Sequence, residues 1–504
     1  MPVNKIFSRF IRLRMKEISK SLTHPIENQR EVFQYLAENL TQTSFGKEHN
    51  FTVCSLEEFK SKIPIRSYDE IKPWVVKSQE GERDVIWPGE IKWFAKSSGT
   101  TSDRSKQLPV TDEFLKQGHY KGGRDLLAIY CDQIPDAPLY SGKHLIIGGS
   151  TELNENNQGS YVGDLSAIIV RNLPPWVEVR RTPGRNITLH SDWNVKVKLM
   201  AEKVAKEDVR ILAGVPSWML VVCKEVLRIT GAETLNEVWP NLWLYMHGGV
   251  GFEPYRKEFD KVVNSPNMSY METYNASEGF FGIQDKLYRN DMALLLNHGV
   301  FYEFIPMSTY HESKDTIQLQ DLKLGKDYAL VISTSAGLWR YDIGDVIRVT
   351  DTYPYRFKIV GRTSNFINVV GEELMIAQTE HALANVASHY GIHIKEFTVA
   401  PRFDELKGAP VGHQWLVELQ KDTSSVDADV FAQDLDRELR AVNSDYDAKR
   451  TEDFILKCLQ LEFAAEGTFE VWLQRKNKLG GQHKIPRLSN SRKILDEILS
   501  FNSS

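Results

Sequence analysis

The feature that most constrains this chain is a strand-like run, Ile91-Lys92-Trp93-Phe94-Ala95, that leads almost directly into Ser97-Ser98-Gly99-Thr100-Thr101-Ser102-Asp103-Arg104-Ser105-Lys106. Ser and Thr hydroxyls and the unhindered backbone N–H groups around Gly99 can turn inward together, making a nest that holds oxyanions. The run is not a Walker loop. The G-x-x-x-x-G-K-[ST] spacing is absent, because Lys106 lies too far from Gly99 and no second glycine precedes it. Taken alone, a Ser/Thr/Gly run is more often a solvated surface turn than a nucleotide site, so its meaning depends on its companions.

Three companions follow in order: Tyr274-Asn275-Ala276-Ser277-Glu278-Gly279, then Trp339-Arg340-Tyr341-Asp342-Ile343-Gly344-Asp345, then Gly361-Arg362-Thr363-Ser364-Asn365-Phe366-Ile367 running on to Gly371-Glu372-Glu373. Each sets an acidic residue beside a small-residue turn. A carboxylate so placed suits a metal–phosphate contact at Glu278 and acceptance of ribose hydroxyls at Asp345. In this order the motifs resemble the adenylate-forming superfamily of acyl-CoA synthetases, luciferases and peptide-synthetase adenylation domains. Within that group the chain is most similar to the Gretchen Hagen branch, the acyl acid amido synthetases first known as auxin-conjugating enzymes of plants.

The resemblance implies an α/β fold, with a large multi-sheet adenylate-forming domain over residues 1–363 and a small mobile α+β lid domain over 364–504. It implies ATP and Mg²⁺ as cofactors, with Ser97, Ser98, Gly99, Thr100 and Thr101 around the ATP phosphates. Gly248 and Gly249 would lie against adenine, as would Tyr274, whose turn supplies Ala276 and Ser277 to the nucleotide site. Glu278 would face Mg²⁺, Asp345 would take the ribose with Arg362 reinforcing it, and Phe357 would join the nucleotide site. Lys484, in Gly480-Gly481-Gln482-His483-Lys484-Ile485-Pro486-Arg487, matches the late lysine that reaches carboxylate and α-phosphate during adenylation. A lysine on a glycine-rich loop can bring a point charge to an anion and withdraw it. Two departures stand out. The superfamily hinge reads Gly-Arg-x-Asp, whereas Ser364 occupies the last position here, and Gly371-Glu372-Glu373 stands where the plant branch has a lysine.

The reaction implied joins a small carboxylic acid to an amino acid through an acyl-adenylate. Two alternatives keep the same nucleotide site: an acyl-CoA ligase, with a thiol as second acceptor, and a protein that binds acyl acids without turning them over. Candidates for the acyl pocket are Trp218 and Met219 after Gly214-Val215-Pro216-Ser217, Phe280 and Phe281 after Glu278, and Phe301-Tyr302. Ordinary core packing is the other reading for each.

At 504 residues with 41% hydrophobic residues the chain has material for two cores. A formal net charge of −5 argues against a nucleic-acid partner. No apolar run approaches the ~18 residues of a membrane helix, and the expectation is a cytoplasmic protein without a membrane partner. The start carries Lys5, Arg9, Arg12, Arg14, Lys16 and Lys20 among Ile6, Phe7, Phe10, Ile11, Leu13 and Met15. With Glu17 and no apolar h-region, it reads as a helix docked on the large domain. Cys54, Cys131, Cys223 and Cys458 form no Cys-x-x-Cys pair and suit free thiols in a reducing compartment. His389 and His393 are separated by Gly391 and lack a third ligand at metal spacing. Before the hinge, β-rich runs at 145–147, 243–246 and 329–332 alternate with helical patterns at 195–205 and 218–229. After it, strands are expected at 396–400, 414–419 and 469–473, and helices at 377–390 and 430–443.

Overall fold

The alternation of β-rich runs with amphipathic helices folds, in a computed structural model, into two compact units, one of Met1–Ser97 with Lys106–Thr363 and another containing Ser364–Ser504. The structure describes residues 2–53, 55–97, 106–148, 154–155, 159–190, 193–249, 252–310, 313–363, 366–372, 374–403, 410–419, 426–450, 455–475 and 485–502. In the first unit an 11-stranded sheet has the order Val300–Pro306, Asp327–Thr334, Tyr341–Thr352, Tyr355–Arg362, Met292–Leu294, Gly279–Ile283, Ser269–Ala276, Leu244–Gly248, Val209–Gly214, Lys143–Ile146, Arg181–Thr182. From Ser269–Ala276 to Arg181–Thr182 neighbouring strands are parallel. From Ser269–Ala276 toward Val300–Pro306 they are antiparallel.

The parallel half is buried beneath helices Trp193–Val204 and Pro216–Thr230, whose Met200, Val204, Met219 and Val222 pack against Leu212 and Tyr245 of the strands. Pro216 opens its helix at a position where its missing N–H costs nothing. Parallel strands present their carboxyl ends on a common edge, the place where open α/β sheets bind ligands. Here those ends are Ile146, Gly214, Gly248 and Ala276. A second sheet pairs Trp93–Ser97 antiparallel with Lys106–Val110 and parallel with Tyr161–Asp164. The strand expected at 91–95 thus runs two residues further, and Ser97 faces Lys106 in register.

In the other unit Pro410–Leu419 is the central strand, antiparallel to Ile394–Phe403 and parallel to Gln460–Ala464. Helices Ile376–His389 and Ala428–Val442 match the expected patterns. The segment 469–473, expected as a strand, is instead inside the helix Thr468–Arg475. Phe469 and Trp472, three apart, are the pair that buries, while Val471 is 40% exposed. The Glu418 carboxylate accepts from the N–H groups of Gly467 and Phe469, capping the helix start from a neighbouring strand that local sequence does not reveal. The third strand is Gln460–Ala464, which the sequence reading left out.

The start of the chain forms helices Pro2–Arg12 and Met15–Thr23. They dock on the region of helix Lys121–Gln133, as expected: Asn4 Nδ2 donates to Ala137 O at 3.1 Å, and Arg14 Nε meets Asp125 at 2.5 Å. Cys131, Cys223 and Cys458 are free thiols, and Cys54 lies outside the described residues. Among the described residues no helix is long and apolar enough to cross a membrane.

Candidate active site

Two hairpins of the large sheet bring the motifs together. Ala276 pairs with Gly279, so Ser277 and Glu278 are the two residues of a tight turn. Asp345 pairs with Arg362 across the strands Tyr341–Thr352 and Tyr355–Arg362. Arg362 Nε stands 2.9 Å from Asp345 Oδ1, and its Nη2 donates to Ile343 O at 2.8 Å. The Tyr274 hydroxyl donates to Asp345 Oδ2. Burial, reinforced by Asp345, raises the Tyr274 phenol well above its usual value, so it stays a donor. Each carboxylate oxygen of Asp345 therefore has one protein partner and keeps a further lone pair for a ligand. The Asp345 and Arg362 side chains retain 19% and 18% exposure.

Glu278 is only 7% exposed. Burial pushes its carboxyl above the usual range, Asp345 adds to that rise, and the cations of Lys106 and Arg362 oppose it. Lys106 arrives from the end of the hairpin at Ser97, with its Nζ donating to the Tyr341 hydroxyl at 3.0 Å. The net result is a buried carboxylate held short of full compensation, the condition in which a divalent cation binds favourably. Sequence reasoning dismissed Lys106 as a Walker lysine and did not single out Tyr341. Their signal was position: one closes the Ser/Thr loop, the other opens the motif that ends in Asp345.

The remaining candidates divide. At Gly248 a Cβ would stand 2.4 Å from Thr273 O, so the close approach of the Ser269–Ala276 strand dictates that glycine, while Gly249 is dictated by its own left-handed φ of +84°. Phe357 is 1% exposed, its ring 6.0 Å from that of Tyr274. It was expected to face the nucleotide, and instead it supports Tyr274 from within the core, because its side of the strand points inward. Tyr274 itself is packed edge-on against Phe281 at 4.8 Å, with its hydroxyl on Asp345. Phe281 and Met219 are fully buried in core clusters rather than lining a cavity. Trp218 is half-buried, in the first turn of its helix at the carboxyl edge of the parallel strands. Tyr302 donates to Leu295 O at 3.2 Å and forms a wall of a cavity of about 420 Å³ with Phe33, Leu56, Phe301 and Leu319.

His119 was not anticipated. It sits in a π-helical turn, Leu115–Tyr120, a form that recurs at functional sites. Burial lowers its pKa to about 4, with Asn275 pulling the other way, so a neutral imidazole backs the exposed Asn275 of the Tyr274–Glu278 motif. Ser97 ends its strand opposite Lys106. Ser98, Gly99, Thr100, Thr101, Lys484 and the hinge positions Ser364 and Asn365 lie outside the described residues.

Comparison with known proteins matches residues 14–268 to the GH3 family N-terminal domain, 293–362 to the GH3 family central domain and 377–493 to the GH3 family C-terminal domain. The indole-3-acetic acid-amido synthetase GH3.3 of Arabidopsis thaliana is 23% identical, over 93% of this chain and 90% of its own. The 4-substituted benzoates-glutamate ligase GH3.12 of the same plant is 25% identical, over 94% and 95%. Among solved structures, the AtGH3.15 acyl acid amido synthetase in complex with 2,4-DB superposes with a TM-score of 0.62 at 19% identity, covering 96% of this chain and 95% of that one. A 2-hydroxyisobutyryl-CoA ligase in its thioesterification state superposes with a TM-score of 0.56 at 14% identity, covering 96% and 94%.

Proposed function

The chain belongs to the GH3 family, and from that premise we propose that it is an ATP-dependent acyl acid amido synthetase: it adenylates a small carboxylic acid and passes the acyl group to the amine of an amino acid. The observation that carries this reading is the convergence of Tyr274, Asp345 and Arg362 beside the undercompensated carboxylate of Glu278. A carboxylate is a poor electrophile. In the first step its oxygen attacks the α-phosphorus of ATP and pyrophosphate leaves. In the second, the amine nitrogen attacks the acyl carbon, AMP departs with the bonding electrons, and the amine loses a proton.

Asp345 holds the ribose through the lone pairs left free by Tyr274 and Arg362, fixing the α-phosphate relative to the acid. Arg362 keeps Asp345 oriented. Mg²⁺ is typically held by one or two protein carboxylates plus substrate phosphates; Glu278, whose burial outweighs its partners, would be the residue to hold it, and the ion would supply neutralisation of phosphate charge. Lys106 holds the cationic side of the cluster. The Ser97–Thr101 run cradles the phosphates, Gly248 and Gly249 give adenine room, and Trp218 borders the acyl acid. The unit containing Ser364–Ser504 acts as the lid, with Lys484 supplying charge in the first step and withdrawn for the second. Use of ATP, and cysteines that form no Cys-x-x-Cys pair, support a cytoplasmic setting.

Purified protein with ATP, Mg²⁺, a panel of small aromatic and aliphatic acids, a panel of amino acids and, in parallel, CoA, followed by mass spectrometry, tests this. An acid–amino acid amide plus AMP is expected. A CoA thioester with no amide, or no product from any combination, would overturn the assignment.

A further inference from the structure

The helix Pro2–Arg12 is docked by its polar side. Asn4 and Ser8, 6% and 4% exposed, face the domain and donate to Ala137 O and Pro135 O. Ile6 and Phe10, four apart on another side, and Leu13 in the turn that follows are 66%, 68% and 70% exposed, and Phe7 beside them is 44% exposed with one ring face on Tyr140. Four large apolar side chains in one outward row are unusual for a soluble surface, where such residues scatter singly.

The charges that the helix itself carries, Lys5, Arg9 and Arg12, have one sign. Arg12 and Arg14 are turned toward Asp132 and Asp125. Lys5 and Arg9 in this helix, and Lys16 and Lys20 in the next, occupy exposed positions. The single acid of the segment, Glu17, is held by Lys121 at 2.8 Å. The cationic flank is local, since the chain as a whole carries −5. An apolar stripe bordered by lysine and arginine is the composition of helices that lie in the headgroup region of anionic membranes.

We propose that the outward face of Pro2–Arg12 is a docking surface for an anionic lipid bilayer. The 11-residue helix spans only about 16 Å against the ~30 Å of a bilayer core. It therefore lies along the surface, with Ile6, Phe10 and Leu13 inserted and Lys5 and Arg9 at the phosphates. That no helix among the described residues is long and apolar enough to cross a membrane leaves surface attachment open. A second copy of the chain fits the same face less well. Self-pairing would bring the Lys5 and Arg9 flanks of two molecules together, and one helix stripe falls short of the ~800 Å² per partner of a stable interface.

Co-sedimentation of the full chain with phosphatidylglycerol/phosphatidylcholine vesicles, against phosphatidylcholine alone, tests the proposal. Wild type should bind the anionic vesicles, and do so less at high salt. The triple variant Ile6→Ser, Phe10→Ser, Leu13→Ser should lose about tenfold or more of that partition, with unchanged melting temperature. The pair Lys5→Gln, Arg9→Gln should weaken binding less and flatten its salt dependence. Wild-type partition equal to that of the triple variant would overturn the proposal. So would a dimer, seen by analytical ultracentrifugation, that the triple variant dissociates while wild type ignores vesicles.

Discussion

Glu278 and Glu372 are both buried glutamates, 7% and 0% exposed, yet their acidities move in opposite directions. At Glu372 burial pushes the carboxyl up, but His413 Nε2 at 2.7 Å and the N–H groups of Val370 and Val369, also at 2.7 Å, outweigh it and hold the carboxyl below its usual range. At Glu278 burial wins over Lys106 and Arg362. The difference lies in donors, not depth. A carboxylate supplied with donors is a staple for its own turn, tying Val369 and Val370 to the Pro410–Leu419 strand. One left short of them has affinity to spare for a cation that arrives with substrate.

The largest effect expected from breaking this contrast falls on the staple. Glu372→Ala strands His413 and two buried N–H groups and should cost about 3–5 kcal/mol, read as earlier urea unfolding of the unit containing Ser364–Ser504. Because the folded pKa of Glu372 is lowered, its stabilisation is present above the ordinary carboxylate range and is lost as pH falls through the lowered value. Melting temperatures across the acid range should fall steeply in wild type and less so in Glu372→Gln. Equal acid limbs would mean that Glu372 is no staple.

Glu278→Gln should act the other way round. Amide formation should drop about 10²-fold or more, as when a preorganised electrostatic group is lost from a transition state, while the melting temperature near neutral pH holds or rises. The sign follows from the raised pKa: the ionised form is disfavoured in the fold, so this group's contribution weakens as pH rises past the ordinary carboxylate range, and glutamine removes that cost. A less stable variant of normal activity would reverse the two roles. Smaller again, Asp345→Asn should weaken AMP binding roughly 10- to 100-fold, the worth of a charge-assisted hydrogen bond. Tyr274→Phe, which only orients Asp345, should cost about 1 kcal/mol of AMP affinity. Calorimetry on both variants checks that ranking, and equal losses would show that Tyr274 touches the nucleotide itself.

Much of this arrangement was legible in the chain. The β-rich runs at 145–147, 243–246 and 329–332 are strands because their side chains suit a sheet buried on both faces, and Glu278 stands in a turn that its small neighbours announce, whereas Asp345 lies within the strand Tyr341–Thr352. What escaped was set by partners distant in sequence. The strand-like Phe469–Leu473 became helical under the Glu418 cap. Asp345 and Arg362, read from separate motifs, meet because a register shift between Val346 and Ile347 realigns the hairpin. Tyr274 reached Asp345 from another hairpin, a hydroxyl contact that its own motif does not announce. Phe281, Met219 and Phe357 show the limit most clearly, since an aromatic or thioether after a motif looks the same whether it lines a pocket or fills the core.

The account stands most directly on acid-dependent exchange of labelled pyrophosphate into ATP, measured with wild type, Glu278→Gln and Glu372→Gln at equal concentrations of folded protein. It predicts exchange in wild type that requires a carboxylic acid and needs neither amino acid nor CoA, is lost in Glu278→Gln and survives in Glu372→Gln. Exchange without any acid, or undiminished exchange in Glu278→Gln, would contradict it.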